Sequence, residues 1–482
     1  MAFDDLRDFI KVVEGMGELK VIEGADCESE IGTITELCIA DIPNPPALLF
    51  DKIKGYPAGY RVASSLFPTE KRLALAVGLP TQLSGIKLVD AWRKRMREVK
   101  PLPPVEVKDG PVMENIYEGD DVDLLKFPSP KWHELDGGRY IGTGHCVIQR
   151  DPDTGIVNLG TYRVMVVDEK RLTIYIVGGK HGDMIRKKYW DAGQNCPIAV
   201  SFGQDPSLFA MASNPIVPWG ESEYDYAGWL RNEPVKVIKG PLTGLPIPAT
   251  AEIVIEGEMP PPTVESAPEG PFGEWPGYYA SGARQEPVIR VKRLYHRNHP
   301  ILQGNPPLKP PARYTLGGEL VNAAAIWDEL EKNVPGVKGV WTMREGGYIP
   351  RIMVISIKQS HPGHAQRAGL FATSCYPGAY AGAFTIVVDD DIDPSNISDV
   401  LWAISTRCDP ATSIQILNNC WTSALDTVVS PEKKRRGDLT KGRAIIYACK
   451  PYDWKDEFPP VISSSPELKK KIMDKWYKFL VE

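Results

Sequence analysis

Long hydrophobic runs are missing from this chain: no stretch approaches the roughly 20 apolar residues that a membrane-spanning helix needs, so no span is expected. The first residues, Met1-Ala2-Phe3-Asp4-Asp5-Leu6-Arg7, are acidic and amphipathic and lack the basic segment and apolar core of a secretory leader, which points to the cytoplasm. Paired cysteines are missing too. The eight, at 27, 38, 146, 196, 375, 408, 420 and 449, include no Cys-x-x-Cys, which speaks against a disulfide framework or a zinc ribbon and for buried thiols. Excess positive charge is absent, with 56 Lys and Arg against 62 Asp and Glu, so nucleic acid is not an expected partner. The one basic run, Lys433-Lys434-Arg435-Arg436, reads as a solvated loop. No Gly-x-Gly-x-x-Gly follows a strand, and neither a Gly-x-x-x-x-Gly-Lys-Ser/Thr loop nor a Gly-x-Ser-x-Gly elbow occurs. Two His-x-x-His spacings, His296/His299 and His361/His364, lie before or across a proline and put no two imidazoles on one helix face.

What is there is enough for a large interior: 482 residues, 43% hydrophobic and 24% charged, imply two to three globular domains. The expected fold class is α/β (α+β). A first α/β unit, residues 1–114, holds an amphipathic helix over 3–16, helices over 31–42 and 69–77 and a strand over 47–50, and ends near Pro101-Leu102-Pro103-Pro104. Residues 115–312 carry short alternating β runs at 141–149, 157–167, 172–177, 198–202, 251–258 and 288–294, which predict a β-barrel or sandwich. Helical pieces are expected there near 184–192, 207–211 and 224–230. Residues 313–482 return to alternating helix and strand, the helix over 395–405 starting at Asp393-Pro394-Ser395. A terminal helix follows over 465–480, with Leu468, Ile472, Trp476 and Phe479 on one face, a pattern suited to docking on a second subunit.

Chemistry concentrates in Glu269-Gly270-Pro271-Phe272-Gly273-Glu274-Trp275-Pro276-Gly277-Tyr278-Tyr279. Two carboxylates five residues apart flank a glycine- and proline-rich bend. If both are buried they cannot both ionise cheaply. A nearby Arg would hold one as its anion, and burial would leave the other able to carry a proton near neutrality. Upstream, Asn158 and Arg163 interrupt an apolar run and cannot share a face in a strand of period two, although Gly160 allows a bulge. His181 is expected at the end of the next strand, in Gly178-Gly179-Lys180-His181, and Glu223 opens a helix. Asn, His and Glu together suit Mn²⁺ or Mg²⁺ completed by phosphate oxygens.

The segments Asn158-Leu159-Gly160-Thr161-Tyr162-Arg163, Gly179-Lys180-His181, Glu223-Tyr224-Asp225-Tyr226-Ala227-Gly228, Glu269-Gly270-Pro271-Phe272-Gly273-Glu274 and Val387-Val388-Asp389-Asp390-Asp391-Ile392-Asp393-Pro394 resemble, in order, the UbiD family of reversible decarboxylases. The resemblance implies prenylated FMN in a central split β-barrel, with Mn²⁺ (or Mg²⁺) and K⁺ beside its phosphate, and a flavin prenyltransferase as cofactor supplier. It makes Asn158, His181 and Glu223 the metal ligands and Arg163, Glu269 and Glu274 a catalytic Glu-Arg-Glu network. Lys180 and the segment Asn158, Leu159, Gly160, Thr161, Tyr162 and Arg163 would line the cofactor. Two departures stand out: Ala383-Phe384 replaces a Lys or Arg that many members carry before the Asp-rich turn, and Trp275-Pro276 replaces a common Tyr-Thr.

The implied activity is non-oxidative decarboxylation of an aromatic, heteroaromatic or α,β-unsaturated carboxylic acid by a homodimer or a multiple of one. Loss of CO₂ from an sp² carbon leaves a carbanion that side chains alone cannot absorb, so an electron sink is required in any case. Carboxylation of an electron-rich ring is the reverse reading of the same site. A non-catalytic subunit of a larger carboxylase is the other alternative, against which the retained Arg163, Glu269 and Glu274 weigh.

Overall fold

The computed structural model describes residues 3–311, 318–347 and 349–481, and the expected boundary at 312/313 falls outside them. The chain opens with the helix Leu6–Gly15, whose first turn is capped by the Asp5 carboxylate accepting from the Asp8 N–H at 2.9 Å. Leu6, Phe9, Ile10 and Val13 recur at helical spacing and are all buried, each adding about 1.5–3 kcal/mol relative to exposure. The helix covers a four-stranded sheet, in spatial order Leu19–Glu23, Ala47–Asp51, Arg61–Ser64 and Ile301–Gln303. Its last strand arrives from far down the chain and pairs parallel with Arg61–Ser64.

The middle of the chain forms a nine-stranded, mostly antiparallel sheet. Its main path runs Val157–Gly160, His145–Arg150, Cys196–Phe202, Ile253–Met259, Arg284–His296, Arg171–Ile174, Val164–Val166. The two ends of that path are Val157–Gly160 and Val164–Val166, and only residues 161–163 join them. Six inter-strand steps of roughly 4.8 Å would place the edges about 29 Å apart in a flat sheet. Four Cα–Cα steps span about 15 Å at most. The sheet must therefore curl into a barrel split along one side. At the seam Val164 exchanges backbone hydrogen bonds with Gly142 at 3.0 and 3.1 Å.

This corrects the expectation of one strand over 157–167. The run is two strands at opposite edges, with Asn158 in the first and Arg163 in the crossing between them, so neither the period of a single strand nor a bulge at Gly160 relates the two side chains. Residues 101–104, where the first unit was expected to end, are docked on the helix Glu223–Arg231: the Leu102 N–H donates to the Asp225 carbonyl at 2.9 Å.

The last unit is a five-stranded sheet ordered Val337–Thr342, Ile352–Ile357, Phe384–Asp389, Thr440–Ala448, Ile414–Trp421, with the helices Gly318–Asn333, His364–Ser374 and Ile397–Arg407 packed on it. The helix Gly85–Met96 of the first unit packs against Gly318–Asn333. Arg93 there stacks on Trp327 at 4.1 Å and pairs with Glu331 at 3.2 Å. Residues 433–435 belong to the short helix Pro431–Arg435, which has no buried residue, rather than to a loop. The terminal helix Pro466–Val481 leaves Leu468, Ile472, Trp476 and Phe479 exposed. No helix among the described residues is long and apolar enough to cross a membrane.

Candidate active site

Glu269 closes the strand Ser266–Glu269, directly opposite Arg284 on the neighbouring strand. Arg163 comes from the three-residue crossing at the barrel seam, and its guanidinium forks onto Glu269: Nε to Oε1 at 2.7 Å and Nη2 to Oε2 at 2.9 Å. Its remaining nitrogen, Nη1, donates to Glu274 Oε1. Glu269 and Glu274 are 1% and 8% exposed, so the three charges share a nearly dry site. Tyr140 donates its hydroxyl proton to Glu269 Oε1 at 2.8 Å. The Arg163 guanidinium lies over the Tyr175 ring at 4.3 Å and near Phe272 at 5.2 Å, and Arg284 stacks on Tyr175 at 3.9 Å.

Two carboxylates against one guanidinium leave an excess negative charge, which burial makes costly. The carboxyl of Glu274 is pushed up by burial, with Glu269 adding to the shift and Arg163 opposing it. Burial works against the Arg163 charge, but the hydrogen bonds and charges of the two glutamates outweigh it and raise its pKa. The arrangement expected from sequence is thus brought together: one glutamate locked in a bidentate pair, the other poised to hold a proton.

The crossing segment is pinned by residues that sequence reasoning passed over. His145 is fully buried, and burial pushes its pKa down to about 4, so the imidazole is neutral. Its Nε2 meets the Tyr162 carbonyl at 2.8 Å, and the Thr161 hydroxyl donates to the His145 carbonyl at 2.9 Å. A β-carbon on Gly160 would overlap the Tyr162 ring, and the Tyr162 hydroxyl accepts from the Gly182 N–H at 3.1 Å. These two glycines let the tyrosine lie flat between strand and helix.

Asn158, His181 and Glu223 gather on the other side of the crossing. His181 is the first residue of the helix His181–Asp191 rather than the end of a strand, and with Asn158 and Trp219 it lines a small cavity. Glu223, buried at the start of its helix, accepts the Leu159 N–H at 2.7 Å, next to Asn158 in the strand. Burial pushes its carboxyl up to about 8. Burial and the neighbouring Lys180 lower the His181 pKa, which keeps the imidazole in its ligating neutral form. Among the described residues, Asn158 Nδ2 is buried without a hydrogen-bond partner, and no carboxylate offsets the burial that lowers the Lys180 pKa. No group of three or more His, Cys, Asp or Glu side chains is arranged for a metal there; the expected set has an amide as its third member.

The two sequence departures have structural settings. Trp275 is buried, with Arg351 at 5.8 Å from its ring, and Gly347 passes close to its carbonyl, so it packs against the C-terminal unit. Ala383 sits inside the C-terminal sheet, donating to the Arg351 carbonyl at 2.8 Å and accepting from Ala444 at 2.9 Å. The nearby cations are committed elsewhere: Arg351 to Asp426 at 3.3 Å and Arg443 to carbonyls including that of Thr373 at 2.9 Å.

Comparison with known proteins agrees with this architecture over almost its whole length. The chain matches three family profiles of 3-octaprenyl-4-hydroxybenzoate carboxy-lyase: the N-terminal domain over residues 10–92, the Rift-related domain over 104–310 and the C-terminal domain over 315–448. It is 32% identical over 442 residues to a phenolic acid decarboxylase of Streptomyces sp. (strain D7), covering 89% of this chain and 90% of that protein. Its fold superposes on the open form of Sedimentibacter hydroxybenzoicus vanillic acid decarboxylase with a TM-score of 0.84, at 28% identity and full coverage of both chains. A TM-score of 0.84 is also found with the UbiD-class enzyme HmfF from Pelotomaculum thermopropionicum in complex with FMN, at 29% identity over 97% of this chain and 98% of that one. An evolved dimeric form of HmfF, solved with prFMN, aligns at 0.80, with 29% identity and the same coverage. The profiles, the sequence relative and the shared barrel together establish that the chain belongs to the UbiD family of carboxy-lyases.

Proposed function

We propose that this enzyme decarboxylates an aromatic, heteroaromatic or α,β-unsaturated carboxylic acid without net oxidation, using prenylated FMN held through Mn²⁺ (or Mg²⁺) and K⁺. The observation that carries the reading is the buried Arg163 fork between Glu269 and Glu274, with Glu274 raised toward protonation. The FMN and prFMN complexes of HmfF support the flavin, and the phenolic and vanillic acid decarboxylases support an aromatic acid. The residues fit the metal and phosphate: a buried carboxylate without a cation, a neutral imidazole, an unpartnered amide and an unpaired Lys180 are what a divalent ion and phosphate oxygens would satisfy.

When bound, the prenylated flavin supplies the electron sink for the carbanion left by departing CO₂. The rest falls to side chains. Arg163 orients the substrate carboxylate, held in place by Glu269 and, through it, by Tyr140. Glu274 carries the proton to the carbon that has lost CO₂. Phe272 and Tyr175 provide apolar and aromatic walls that keep water from competing for that proton. Carboxylation shares the same transition state, and product formation under high bicarbonate reads it directly. The exposed apolar stripe of the helix Pro466–Val481 supports association with a second copy.

The test is co-expression with a flavin prenyltransferase, followed by the mass and absorbance of the bound cofactor and a screen of aromatic and unsaturated acids for CO₂ release. Turnover should require the prenyltransferase. Full activity of protein made without it overturns the assignment.

A further inference from the structure

The chain from Glu269 through Glu274 to Tyr279 is fastened to one short segment of the barrel mouth. The Gly137 N–H donates to the Pro271 carbonyl at 2.7 Å, the Gly273 N–H to Asp136 Oδ1 at 3.0 Å, and the Leu135 N–H to the Tyr279 hydroxyl at 3.1 Å. His133 stands at the head of this segment, mostly buried. Its Nδ1 faces the Asp136 carboxylate, 3.1 Å from Oδ2, and its Nε2 lies 2.7 Å from the Pro307 carbonyl oxygen. A neutral imidazole has one N–H and one bare lone pair, which would point at an oxygen. Both Asp136 oxygens already accept backbone N–H groups, from His133 and Gly273 at 3.0 Å each, as an ionised carboxylate does; with that acceptor before one nitrogen and a carbonyl before the other, both nitrogens carry protons.

The surroundings agree with a charged ring. The Phe272 and Tyr279 rings stand roughly perpendicular to the imidazole, with centroids 6.0 and 6.3 Å away, and wall it off from solvent without competing for its nitrogens. Among the described residues, the ionisable groups that act on it or on the adjoining Tyr279 phenol are Asp136, Glu134 next in the chain and, from the helix Glu30–Asp41, Glu36, all of them acids. Burial opposes the charge, but Asp136, the Pro307 carbonyl and Glu36 outweigh it, so the His133 pKa is raised. Gly273 passes so close that a β-carbon there would stand 2.8 Å from His133 Nδ1, which leaves the loop little freedom to shift without moving the ring.

We propose that His133, held as an imidazolium between Asp136 and the Pro307 carbonyl, is a positioning residue that sets the path of the loop carrying Glu274. The clamp is closed below the His133 pKa, which is raised above the ordinary imidazole value, and opens as pH rises through it, when one of the two bonds must be lost. Its effect on turnover rests on the proposed role of Glu274; the protonation state does not.

The experiment follows the imidazoles of the full-length ¹⁵N-histidine-labelled protein by NMR over pH, beside the pH dependence of turnover. His133, identified by its loss in His133→Gln, should show two protonated nitrogens at pH 7, where His145 is neutral. Asp136→Asn, which keeps the shape and removes the charge, should move the titration to lower pH. His133→Gln should lower kcat on the order of 10-fold or more, the scale of a small misplacement of a reacting group, with KM and flavin occupancy little changed. It should also lose the alkaline inflection that coincides with the NMR midpoint. A neutral His133 at pH 7, or a His133→Gln enzyme with the wild-type rate and profile, overturns the proposal. If wild type releases CO₂ from no acid, the proposed function fails and the imidazole titration alone decides the clamp.

Discussion

Arg163 and Asn158 lie five residues apart on one stretch of chain, yet around Arg163 every charge is met by a side chain and around Asn158 it is not. Arg163 has Glu269 and Glu274, and Glu269 has Tyr140 as well. Asn158 keeps an unpartnered buried amide, and Glu223 beside it is a buried carboxylate with no cation. The first cluster is completed by the protein itself. The second has the character of a socket, whose polar groups are worth their burial only when a ligand brings the missing charge. The proposed proton-transfer group and the proposed ion site thus share one crossing of the barrel seam.

The largest expected effect breaks the first cluster chemically and leaves its shape alone. Glu274→Gln keeps a hydrogen-bonding side chain beside Arg163 but cannot pass a proton, so turnover should fall by roughly 10²-fold or more with flavin occupancy retained. Solvent-hydrogen exchange into added product checks it independently: wild type should catalyse exchange at the carbon that lost CO₂, and the variant should not. Exchange at the wild-type rate would move the donor role elsewhere.

Filling the second cluster should have the next largest effect, read as stability. Mn²⁺ at a hundredfold excess over its Kd should stabilise wild type by about 2.7 kcal/mol, and Glu223→Gln should lose most of that shift in a thermal melt. The pH dependence has a definite sign. The folded Glu223 pKa, about 8, is above its ordinary carboxyl value, so the folded state binds the extra proton and metal-free stability falls as pH rises from the ordinary range through about 8. Mn²⁺ binding needs the anion, so its affinity should climb over the same interval and level off above it. Affinity independent of pH between 6 and 9 would remove Glu223 from the ligand set.

The smallest effect sharpens the contrast by unpicking one bond from the satisfied cluster. Tyr140→Phe removes a hydrogen bond to a charged acceptor and should cost about 1.5–3 kcal/mol in chemical denaturation, with a several-fold loss of turnover. Unchanged stability would mean that water replaces the hydroxyl and that the site is wetter than its burial implies.

Much of this was legible beforehand wherever local chemistry is repeated along the chain. The first helix followed from Leu6, Phe9, Ile10 and Val13, and the alternation of the middle strands foretold a barrel or sandwich. Elements with weak patterns were passed over. Leu19–Glu23 and Ile414–Trp421 are largely exposed edge strands that bury too little to show a period, and Gly85–Met96 has charges covering most of its length. Tyr140 and His145 carried no local signal, because each works through a partner more than fifteen residues away, Glu269 and Tyr162; His133 has Asp136 three residues on, but its second partner, the Pro307 carbonyl, is distant.

By itself the sequence determined which groups are available and what they can do: the paired glutamates and their proline- and glycine-rich bend, the Asn, His and Glu set without thiolates, and the UbiD resemblance that orders them. Only the tertiary structure decided how they face one another. The barrel's curl carries the chain from one edge strand to the other between Gly160 and Val164, so strand periodicity stops where it is most needed and Arg163 turns to the glutamates while Asn158 turns away. The same closure delivers Ile301–Gln303 to the first sheet and residues 133–140 to the loop between Glu269 and Glu274. Such long-range meetings depend on how the sheet twists and closes as a whole, and no window of neighbouring residues encodes them.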